Sequence, residues 1–395
     1  MHFSARSQRL GSETAFDVLS KVTRLRAEGR HIISFAIGEP DFDTPRGVKE
    51  AGKDAIEQNF THYNPSAGLP ELRKVVSETS LKLRGVEHEP ENVVVTPGAK
   101  PIIFHSILAC VNAGDEVIYP NPGFPIYESM INFVGAKPVP LPLREDKGFS
   151  FDVEDLRKLV TPKTRMIIIN SPQNPTGGML SVEDLEAVAE IAIKNNIWVL
   201  SDEVYHRFVF NGTFASIAAI SGMKDRTIIL DGCSKSYAMT GWRIGWGIMP
   251  ESLAKIITLL VTNSDSCTAT FTQKAAIEAL TGDQSESLKM AGQFARRAVV
   301  IHRLLNDIKG IKAEMPRGAF YAFPNVTGVC RNLGLGNSRE LQDKLLFEAG
   351  VAVLARSCFG SRNIGETDEY IRLSFATATA QIEKGLKIMK DYIER

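Results

Sequence analysis

Cysteine and histidine are scarce in this 395-residue chain, and neither is arranged as metal sites and disulfide frameworks require. The five cysteines are scattered, odd in number and form no C-x-x-C spacing, and the seven histidines form no H-E-x-x-H motif. Zinc sites and disulfide scaffolds both depend on such spacings. We therefore expect no metal ion and reduced thiols, as in an intracellular protein.

The sequence also lacks a net charge and a long apolar run. Lys+Arg and Asp+Glu are equal at 46 each, so no global field attracts nucleic acid or an anionic membrane. The longest apolar stretch, residues 102–111, is too short to cross a bilayer and contains His105 and Ser106. The first residues carry no apolar signal-peptide core. We expect a cytoplasmic protein with neither nucleic-acid nor membrane partners.

The hydrophobic pattern of the middle of the chain predicts an α/β fold. Seven apolar runs rich in β-branched residues alternate with helix-length amphipathic segments. Most of the runs are continuous, which is typical of strands in a sheet covered by helices on both faces, and the alternation predicts a mainly parallel seven-stranded sheet. The predicted strands are residues 92–96, 116–119, 137–143, 165–170, 197–202, 227–231 and 243–248, and the predicted helices between them include residues 101–111, 126–133, 153–159 and 181–195.

The pattern changes after residue 284, which suggests a second domain. A length of 395 residues also favours two domains at about 150 residues each. We predict a large domain over residues 46–284, a smaller α+β domain over residues 285–395, and an N-terminal segment, residues 1–45, that packs with the smaller domain. The elements predicted there are a helix from 285 to about 305, strands at 311–315 and 319–323, a helix at 338–348, strands at 351–354 and 370–374, and a final helix from 379.

Polar and cationic residues follow the predicted strands at their carboxyl ends. In open α/β sheets, ligands bind beyond these ends. Because the carboxyl ends of parallel strands meet at one edge, we expect these side chains to converge on a single crevice. They are Lys100, Asn174, Asp202, Tyr205, Lys235 and Arg243.

This set has the chemistry that pyridoxal phosphate requires. Lys235 would form a Schiff base with the aldehyde of the cofactor, and Asp202 would keep the ring nitrogen protonated so that the ring accepts the electrons of a carbanion. Tyr205 and Asn174 would form hydrogen bonds with the phenolic oxygen.

The phosphate of such a cofactor would lie at a helix N-terminus. The backbone amides of Gly98, Ala99 and Lys100 open the helix that follows the first predicted strand. Unpaired N–H groups and the helix dipole favour an anion there. Arg243 would add a charge-assisted hydrogen bond to the same phosphate.

Several segments resemble the fold-type I, pyridoxal-phosphate-dependent class I/II aminotransferases, and among them the aspartate aminotransferase-like subgroup. The resemblance covers nearly the whole chain in the correct order, and the motif around the lysine is highly specific. The segments are G-E-P-D-F-D-T-P (38–45), Y-N-P-S-A-G-L-P-E-L-R (63–73), N-S-P-Q-N-P-T-G (170–177), S-D-E-V-Y (201–205), S-K-S-Y-A-M-T-G-W-R-I-G-W (234–246) and Y-I-R-L-S-F-A (370–376).

The resemblance implies roles for individual residues. Lys235 would also move the proton between the substrate Cα and C4′ of the cofactor, and Phe124 would stack on the ring. Arg372 would clamp the substrate α-carboxylate with help from the Gly38 backbone. Tyr63 would reach the cofactor phosphate of a neighbouring subunit, which implies a homodimer with a shared active site.

The chain departs from the family pattern at several positions. Gly232 stands where many members have a phosphate-binding serine, and whether Ser234 replaces it is open. Residues 244–295 contain no arginine to bind a distal carboxylate from the partner chain. Lys100 would meet either the cofactor phosphate or a substrate carboxylate. Arg356 is a charge near the expected substrate end, which we interpret as a structural or surface arginine.

The reaction that the resemblance implies is a ping-pong transamination between an L-amino acid and a 2-oxo acid, for example aspartate and 2-oxoglutarate. The residues around the ring leave other reactions of the same cofactor open, namely those of a carbon–sulfur β-lyase, a cyclopropane-type synthase or a pyridoxal oxidase. A non-catalytic, ligand-sensing relative is a further alternative, which the presence of Lys235, Asp202, Arg243 and Arg372 disfavours.

Overall fold

The computed structural model describes residues 2–11 and 14–395, which form the following helices and strands. The helices are α1 (Thr14–Ala27), α2 (Arg46–Glu57), α3 (Pro70–Arg84), α4 (Lys100–Cys110), α5 (Ile126–Val134), α6 (Val153–Leu159), α7 (Val182–Asn195), α8 (Cys233–Ser236), α9 (Glu251–Ser264), α10 (Thr270–Thr281), α11 (Ser285–Asn306), α12 (Thr327–Asn332), α13 (Ser338–Lys344) and α14 (Thr379–Ile393). The strands are β1 (Ile33–Ser34), β2 (Val93–Thr96), β3 (Glu116–Asn121), β4 (Lys137–Arg144), β5 (Ser150–Phe151), β6 (Thr164–Asn170), β7 (Trp198–Asp202), β8 (Thr227–Gly232), β9 (Gly245–Ile248), β10 (Tyr321–Ala322), β11 (Val351–Ala352), β12 (Leu354–Ala355) and β13 (Ile371–Ser374).

The central sheet has the strand order β2-β9-β8-β7-β6-β3-β4-β5. The pairs from β8 to β4 are parallel, whereas β9 is antiparallel to both of its neighbours and β5 is antiparallel to β4. Seven strands lie where the sequence predicts them, so the α/β, mostly parallel fold class is confirmed. The predicted number of strands was one too low, because the two residues of β5 are too few to produce a periodic pattern.

Both faces of the sheet are covered, as its continuous apolar runs indicate. Ile168 and Leu200 share one apolar cluster with residues of α4 and α9, whereas the adjacent Ile167 and Val199 share another with residues of α7. All four side chains are fully buried. Successive strand residues point to opposite faces, so this alternation places helices on both sides.

The C-terminal part of the chain forms a separate, smaller sheet. Strands β10, β13 and β12 make an antiparallel sheet in that order, and β1 pairs in parallel with β11. The β1–β11 pair joins the N-terminal segment to this C-terminal part. Domain boundaries at residues 46 and 285 remain a prediction.

Some predicted elements of the C-terminal part are shorter than expected or missing. The predicted strand at 311–315 was wrong, because only Lys312 forms a bridge, with Asn325, which also pairs with Tyr370. The predicted strand at 319–323 shrinks to β10, and that at 351–354 becomes the two-residue strands β11 and β12. The predicted helix at 338–348 is α13 followed by a π-helical turn, Leu345–Ala349.

The strand directions place several carboxyl ends at one edge of the large sheet. Strands β2, β6, β7 and β8 all point their carboxyl ends toward the side where β13 and the segment after β1 lie, as the cavity described below shows. Within residues 2–11 and 14–395, no helix combines the length and apolar character needed to span a membrane.

Candidate active site

A cavity of about 550 Å³ lies at the carboxyl edge of the large sheet, against the smaller sheet. Most of the predicted site residues line it. They are Gly38, Ala99, Lys100, Phe124, Asn174, Asp202, Tyr205, Ser234, Lys235, Arg243 and Arg372. Gly98 lies beside this wall, next to Arg243, and Tyr63 lies elsewhere. The roles of these residues remain predictions, but their convergence on one cavity is a property of the structure.

Asp202 ends β7 with its carboxylate buried at the cavity. The Tyr127 hydroxyl donates a hydrogen bond of 2.5 Å to Oδ2, and the Val204 amide donates one of 3.4 Å to Oδ1. Burial raises the pKa of Asp202 to about 6, although both hydrogen bonds act in the opposite direction. The carboxylate is therefore poised to gain from a cationic partner in the cavity.

Two further acids lie close to Asp202, and a buried arginine compensates them. Arg84, at the end of α3, donates to Glu203 Oε2 at 2.6 Å and to Asp231 Oδ2 at 2.7 Å. Burial disfavours the charged guanidinium, but the two carboxylates raise the pKa of Arg84 above its usual value. Burial lowers the pKa of His206 to about 4, so this neighbour of Asp231 is neutral at pH 7. Sequence reasoning missed this cluster, because α3 shares no pattern with β7 or β8.

Lys235 lies in the short helix α8, directly after β8. Its Nζ donates a hydrogen bond of 2.6 Å to the Gly38 carbonyl, and its side chain is half-buried. Gly232 precedes it where β8 meets β9, and a Cβ there would lie 2.9 Å from the Gly245 Cα. The close approach of these two strands leaves no room for a side chain at residue 232. Ser234 lies on the cavity wall.

Arg372 is buried in β13 and is held from several sides. Its Nη1 donates to Asn174 Oδ1 at 3.0 Å, and its Nη2 donates to the Ala36 carbonyl. The guanidinium carbon lies 4.6 Å from the Tyr321 ring centroid and 4.9 Å from that of Phe359. Two predicted residues, one from each sheet, are thus in direct contact, and the aromatic rings fix the orientation of the guanidinium.

Two tyrosines of the site were missed by sequence reasoning. Tyr321 in β10 forms a hydrogen bond of 2.7 Å with Tyr205 through their hydroxyls, and burial raises the pKa of Tyr205 well above its usual value. A Cβ at Gly38 would lie 2.0 Å from the Tyr321 hydroxyl, so glycine is required there. Tyr127 lies in α5 and meets Asp202 only in the tertiary fold, so the sequence carried no signal for it.

The part of the cavity at the start of α4 is suited to an anion. Gly98 has a φ of +90°, and a Cβ there would lie 2.2 Å from Arg243 Nη2. Arg243 Nη1 donates to the Thr240 carbonyl at 2.8 Å. Helix α4 begins at Lys100, and no side chain in the described part of the protein caps this end. The amide groups at residues 98–100 are therefore placed for a phosphate.

Two further cations, Lys100 and Arg356, have different environments. Lys100 is exposed on the cavity wall, with its Nζ 5.4 Å from the Phe124 ring centroid. Arg356 is 1% exposed and forms a bidentate ion pair with Glu366. It is a buried structural arginine, not a surface one.

Tyr63 is not part of the cavity described above. Its side chain is 90% exposed. The next residue, Asn64, is fixed by hydrogen bonds from its Nδ2 to the Thr268 carbonyl at 2.8 Å and to Thr270 Oγ1 at 2.9 Å. The tyrosine therefore projects from an anchored segment.

Comparisons with known proteins agree on one class of enzyme. Residues 30–388 match the family model "Aminotransferase class I and II". A probable aspartate/prephenate aminotransferase of Aquifex aeolicus is 38% identical over 99% of this chain and 98% of its own length, and an aromatic-amino-acid aminotransferase of Thermococcus litoralis is 38% identical over 92% of each chain. The structure of the aspartate aminotransferase of Thermus thermophilus with maleate has a TM-score of 0.93 at 33% identity, covering 99% of each chain.

The fold and these similarities define a transaminase. The chain belongs to the class I and II aminotransferase family. The names of its relatives favour transamination over the lyase, synthase, oxidase and ligand-sensing alternatives.

Proposed function

We propose that this aminotransferase uses pyridoxal phosphate bound at Lys235 and transfers the amino group of an L-amino acid to a 2-oxo acid by a ping-pong mechanism. The proposal rests on one observation. The cavity is lined by the amine of Lys235, the buried carboxylate of Asp202 and the buried guanidinium of Arg372. Aspartate with 2-oxoglutarate is the pair to test first, because aspartate appears in the names of several relatives.

The side chains at the centre of the cavity fit the ring of this cofactor. When bound, pyridoxal phosphate supplies an aldehyde that condenses with amines and a ring that accepts the electrons released at Cα. The carboxylate of Asp202 would pair with the ring nitrogen. Tyr205 and Asn174 would donate hydrogen bonds to the phenolic oxygen, and Phe124 would pack against the face of the ring.

The end of the cavity at α4 fits the phosphate. The amides of Gly98, Ala99 and Lys100 would donate to its oxygens at the helix N-terminus. Arg243 would add a charge-assisted bond, and the Ser234 hydroxyl would supply a further donor. These groups would hold the cofactor in place by its phosphate, beside the Lys235 amine.

Lys235 would carry the proton in the reaction. Its Nζ would take the proton from the substrate Cα and deliver it to C4′ of the cofactor. The Gly38 carbonyl, 2.6 Å from Nζ, supports this assignment because it orients the amine. The carbonyl oxygen can accept a hydrogen bond from Nζ whether the amine is neutral or protonated, so this contact would persist through the proton transfer.

Arg372 would bind the α-carboxylate of each substrate. The planar guanidinium matches a carboxylate with two parallel hydrogen bonds. Asn174 and the rings of Tyr321 and Phe359 would keep it in one orientation and exclude water around it. Lys100 would lie at the substrate end of the cavity or at the phosphate, and removal of its charge would decide between the two.

We also propose a cytoplasmic homodimer with a shared active site. Tyr63 is exposed and held by an anchored segment, as expected of a residue that reaches the cofactor phosphate of a partner. Ile256 and Leu259 of α9 are 49% and 63% exposed, and a partner subunit would cover them. Residues 46–284 and 285–395 would form the large and small domains of each subunit.

The experiment that tests the proposal is an absorption spectrum of the purified protein with cofactor, recorded as single L-amino acids are added. We expect the band of the aldehyde form to be replaced by that of the amine form, and a 2-oxo acid to restore it. The donors are then ranked by the amplitude and rate of this change. Lys235→Ala is the control for a covalent attachment.

Two results would contradict the proposal in different ways. A protein that shows no cofactor band after incubation with pyridoxal phosphate would disprove the cofactor site. A protein that binds the cofactor but releases ammonia and pyruvate from cysteine conjugates, without any amino transfer, would disprove transamination.

A further inference from the structure

We propose that Arg356 is a positioning residue that fixes the cavity wall at Phe359 beside Arg372 and so controls substrate carboxylate binding without touching the substrate. The inference rests on the proposed function of the same cavity. Arg356 directly follows β12. Phe359 lines the cavity, whereas Arg356 is not among the described residues that line it.

The guanidinium of Arg356 is at the centre of a buried network. It pairs with Glu366 through Nε to Oε1 at 2.6 Å and Nη2 to Oε2 at 2.8 Å. Nη2 also donates to Asn121 Oδ1 at 3.1 Å, and Nη1 donates to the Gly360 carbonyl at 3.1 Å. These contacts close residues 359–366, here called the anchored loop, around one side chain.

The same network attaches the anchored loop to the large sheet. Asn121 is the last residue of β3, and its Nδ2 donates to the Ser361 carbonyl at 2.7 Å. The Gly123 amide donates to the Phe359 carbonyl at 3.0 Å. Phe124, the predicted stacking residue, comes next in the chain. The two aromatic walls of the cavity, at Phe124 and Phe359, are thus joined by the Gly123 hydrogen bond, and the hydrogen bonds from Arg356 to Asn121 and to the Gly360 carbonyl brace the same junction.

Phe359 transmits this constraint to the predicted carboxylate clamp. It is 2% exposed, and its ring centroid lies 4.9 Å from the Arg372 guanidinium carbon, which is also 4.6 Å from the centroid of Tyr321. If the anchored loop shifts, Arg372 loses one of the two rings that it contacts. A guanidinium that can rotate, or that water can reach, binds a carboxylate less tightly, because the free energy needed to order it then reduces the binding free energy.

The charge of Arg356 is already matched within the network. Glu366 satisfies it with two hydrogen bonds, and Asn121 and Gly360 take the remaining donors. A substrate carboxylate would therefore find Arg372, and not Arg356, as its partner. The function of Arg356 is geometric.

A double substitution separates this role from a contribution to stability. Arg356→Met alone leaves the Glu366 carboxylate, whose side chain is 12% exposed, without its cationic partner, which destabilises a protein for reasons unrelated to the cavity. Adding Glu366→Gln removes that charge, so thermal stability should return toward the wild-type value. The hydrogen bonds to Asn121 and Gly360 stay absent in both variants. Stability and carboxylate binding should therefore respond differently to the second substitution.

The first measurement is a titration of the cofactor-loaded double variant with L-aspartate, or with the best donor in the spectral screen. We expect the donor concentration for half-maximal change to rise roughly ten- to a hundredfold, as misplacement of about 1 Å can cost, with cofactor affinity unchanged. Arg356→Lys should recover only part of the loss, because it keeps the charge and loses the fork of donors. Arg362→Gln is the matched control, because it removes another arginine of the anchored loop and its ion pair to Glu369 but keeps every contact of the Arg356 guanidinium, and it should bind the donor normally.

The second measurement does not depend on catalysis. Hydrogen exchange of the Gly123 amide should be slow in the wild type and in Arg362→Gln, and faster in the double variant. If no amino acid reacts with the wild type, the proposed function fails while this result still decides the role of Arg356. Equal Gly123 protection in the wild type and the double variant would overturn the inference, as would donor binding that recovers fully together with stability.

Discussion

The Tyr127 hydroxyl is predicted to keep Asp202 ionised at neutral pH, and Tyr127→Phe tests this with the loss of one oxygen atom. The pKa of Asp202 is already raised to about 6 in the protein without cofactor, because burial penalises its charge. Among the influences that lower this pKa, the hydrogen bond from Tyr127 is the largest. Removing it should raise the pKa of Asp202 further.

The size of the effect follows from the strength of the bond. A hydrogen bond to a charged group contributes about 1.5–3 kcal/mol. Since 1.36 kcal/mol corresponds to a factor of ten, the ionisation constant of Asp202 should fall by a factor on the order of ten to a hundred. A carboxyl that is protonated at pH 7 cannot pair with a protonated ring nitrogen. In the wild type, cofactor affinity that depends on the carboxylate should be present above pH 6 and lost below it, and in the variant this loss should begin at a higher pH.

Carbon NMR of the cofactor-free protein, labelled at the aspartate carboxyls, measures the titration of Asp202 directly. Tyr119→Phe is the matched control, because Tyr119 is a buried tyrosine of β3 that interacts with Glu128 and not with Asp202. The reasoning would be refuted if Asp202 titrated at the same pH in Tyr127→Phe and in the wild type. A shift of the same size in Tyr119→Phe would show a general effect of burial instead.

Three further predictions concern the central residues of the cavity. Lys235→Ala should abolish turnover while the protein still retains pyridoxal phosphate noncovalently, and activity assays combined with dialysis measure the two properties. Full activity of this variant would exclude Lys235 as the residue that binds the cofactor covalently. Arg372→Ala should raise the Michaelis constants of donor and acceptor by about tenfold or more and leave cofactor affinity within about twofold, and unchanged Michaelis constants would contradict the clamp. Asp202→Asn should stabilise the cofactor-free protein against urea unfolding by up to about 3 kcal/mol well above pH 6 and should have no effect near pH 3. The pKa of Asp202 is about 6 in the folded protein and 3.8 ordinarily, so the cost of the buried charge appears only as the pH rises through that range. Equal stability of wild type and Asp202→Asn at alkaline pH would argue against a raised pKa.

The large sheet was predictable from the sequence because its strands are buried on both faces. Strands such as Val93–Thr96 and Thr227–Gly232 are buried throughout and contain three consecutive apolar residues each, and the short length of these runs distinguishes them from helices. The short strands β5, β11 and β12 have two residues each and carry no such pattern. In the C-terminal part, pairing depends on which distant backbone is near, as the single bridge at Lys312 shows.

The candidate site was predictable where its residues follow strands, since strand ends meet at one edge of a parallel sheet. Lys235 and Asp202 belong to this group. Tyr127, Tyr321 and Arg84 do not, because each comes from a helix or a different sheet and meets its partner only in the tertiary fold. For Arg356 the sequence shows the charge but not its partner. Only the tertiary structure shows that Arg356 is buried and paired with Glu366.

The position of β2 has a consequence for the order of folding. The first strand of the large sheet pairs only with β9, its last strand, so the chain must close its longest loop in this sheet before β2 has a partner. Contacts between residues so far apart in sequence form slowly, and during synthesis β2 must wait until β9 has left the ribosome. The end of the cavity that we propose to bind a phosphate lies at this late seam, with Gly98 following β2 and Arg243 preceding β9. A cofactor phosphate bound there would connect the two ends of the seam and favour the completed sheet over its open precursors, so that cofactor supply during synthesis would raise the yield of folded protein.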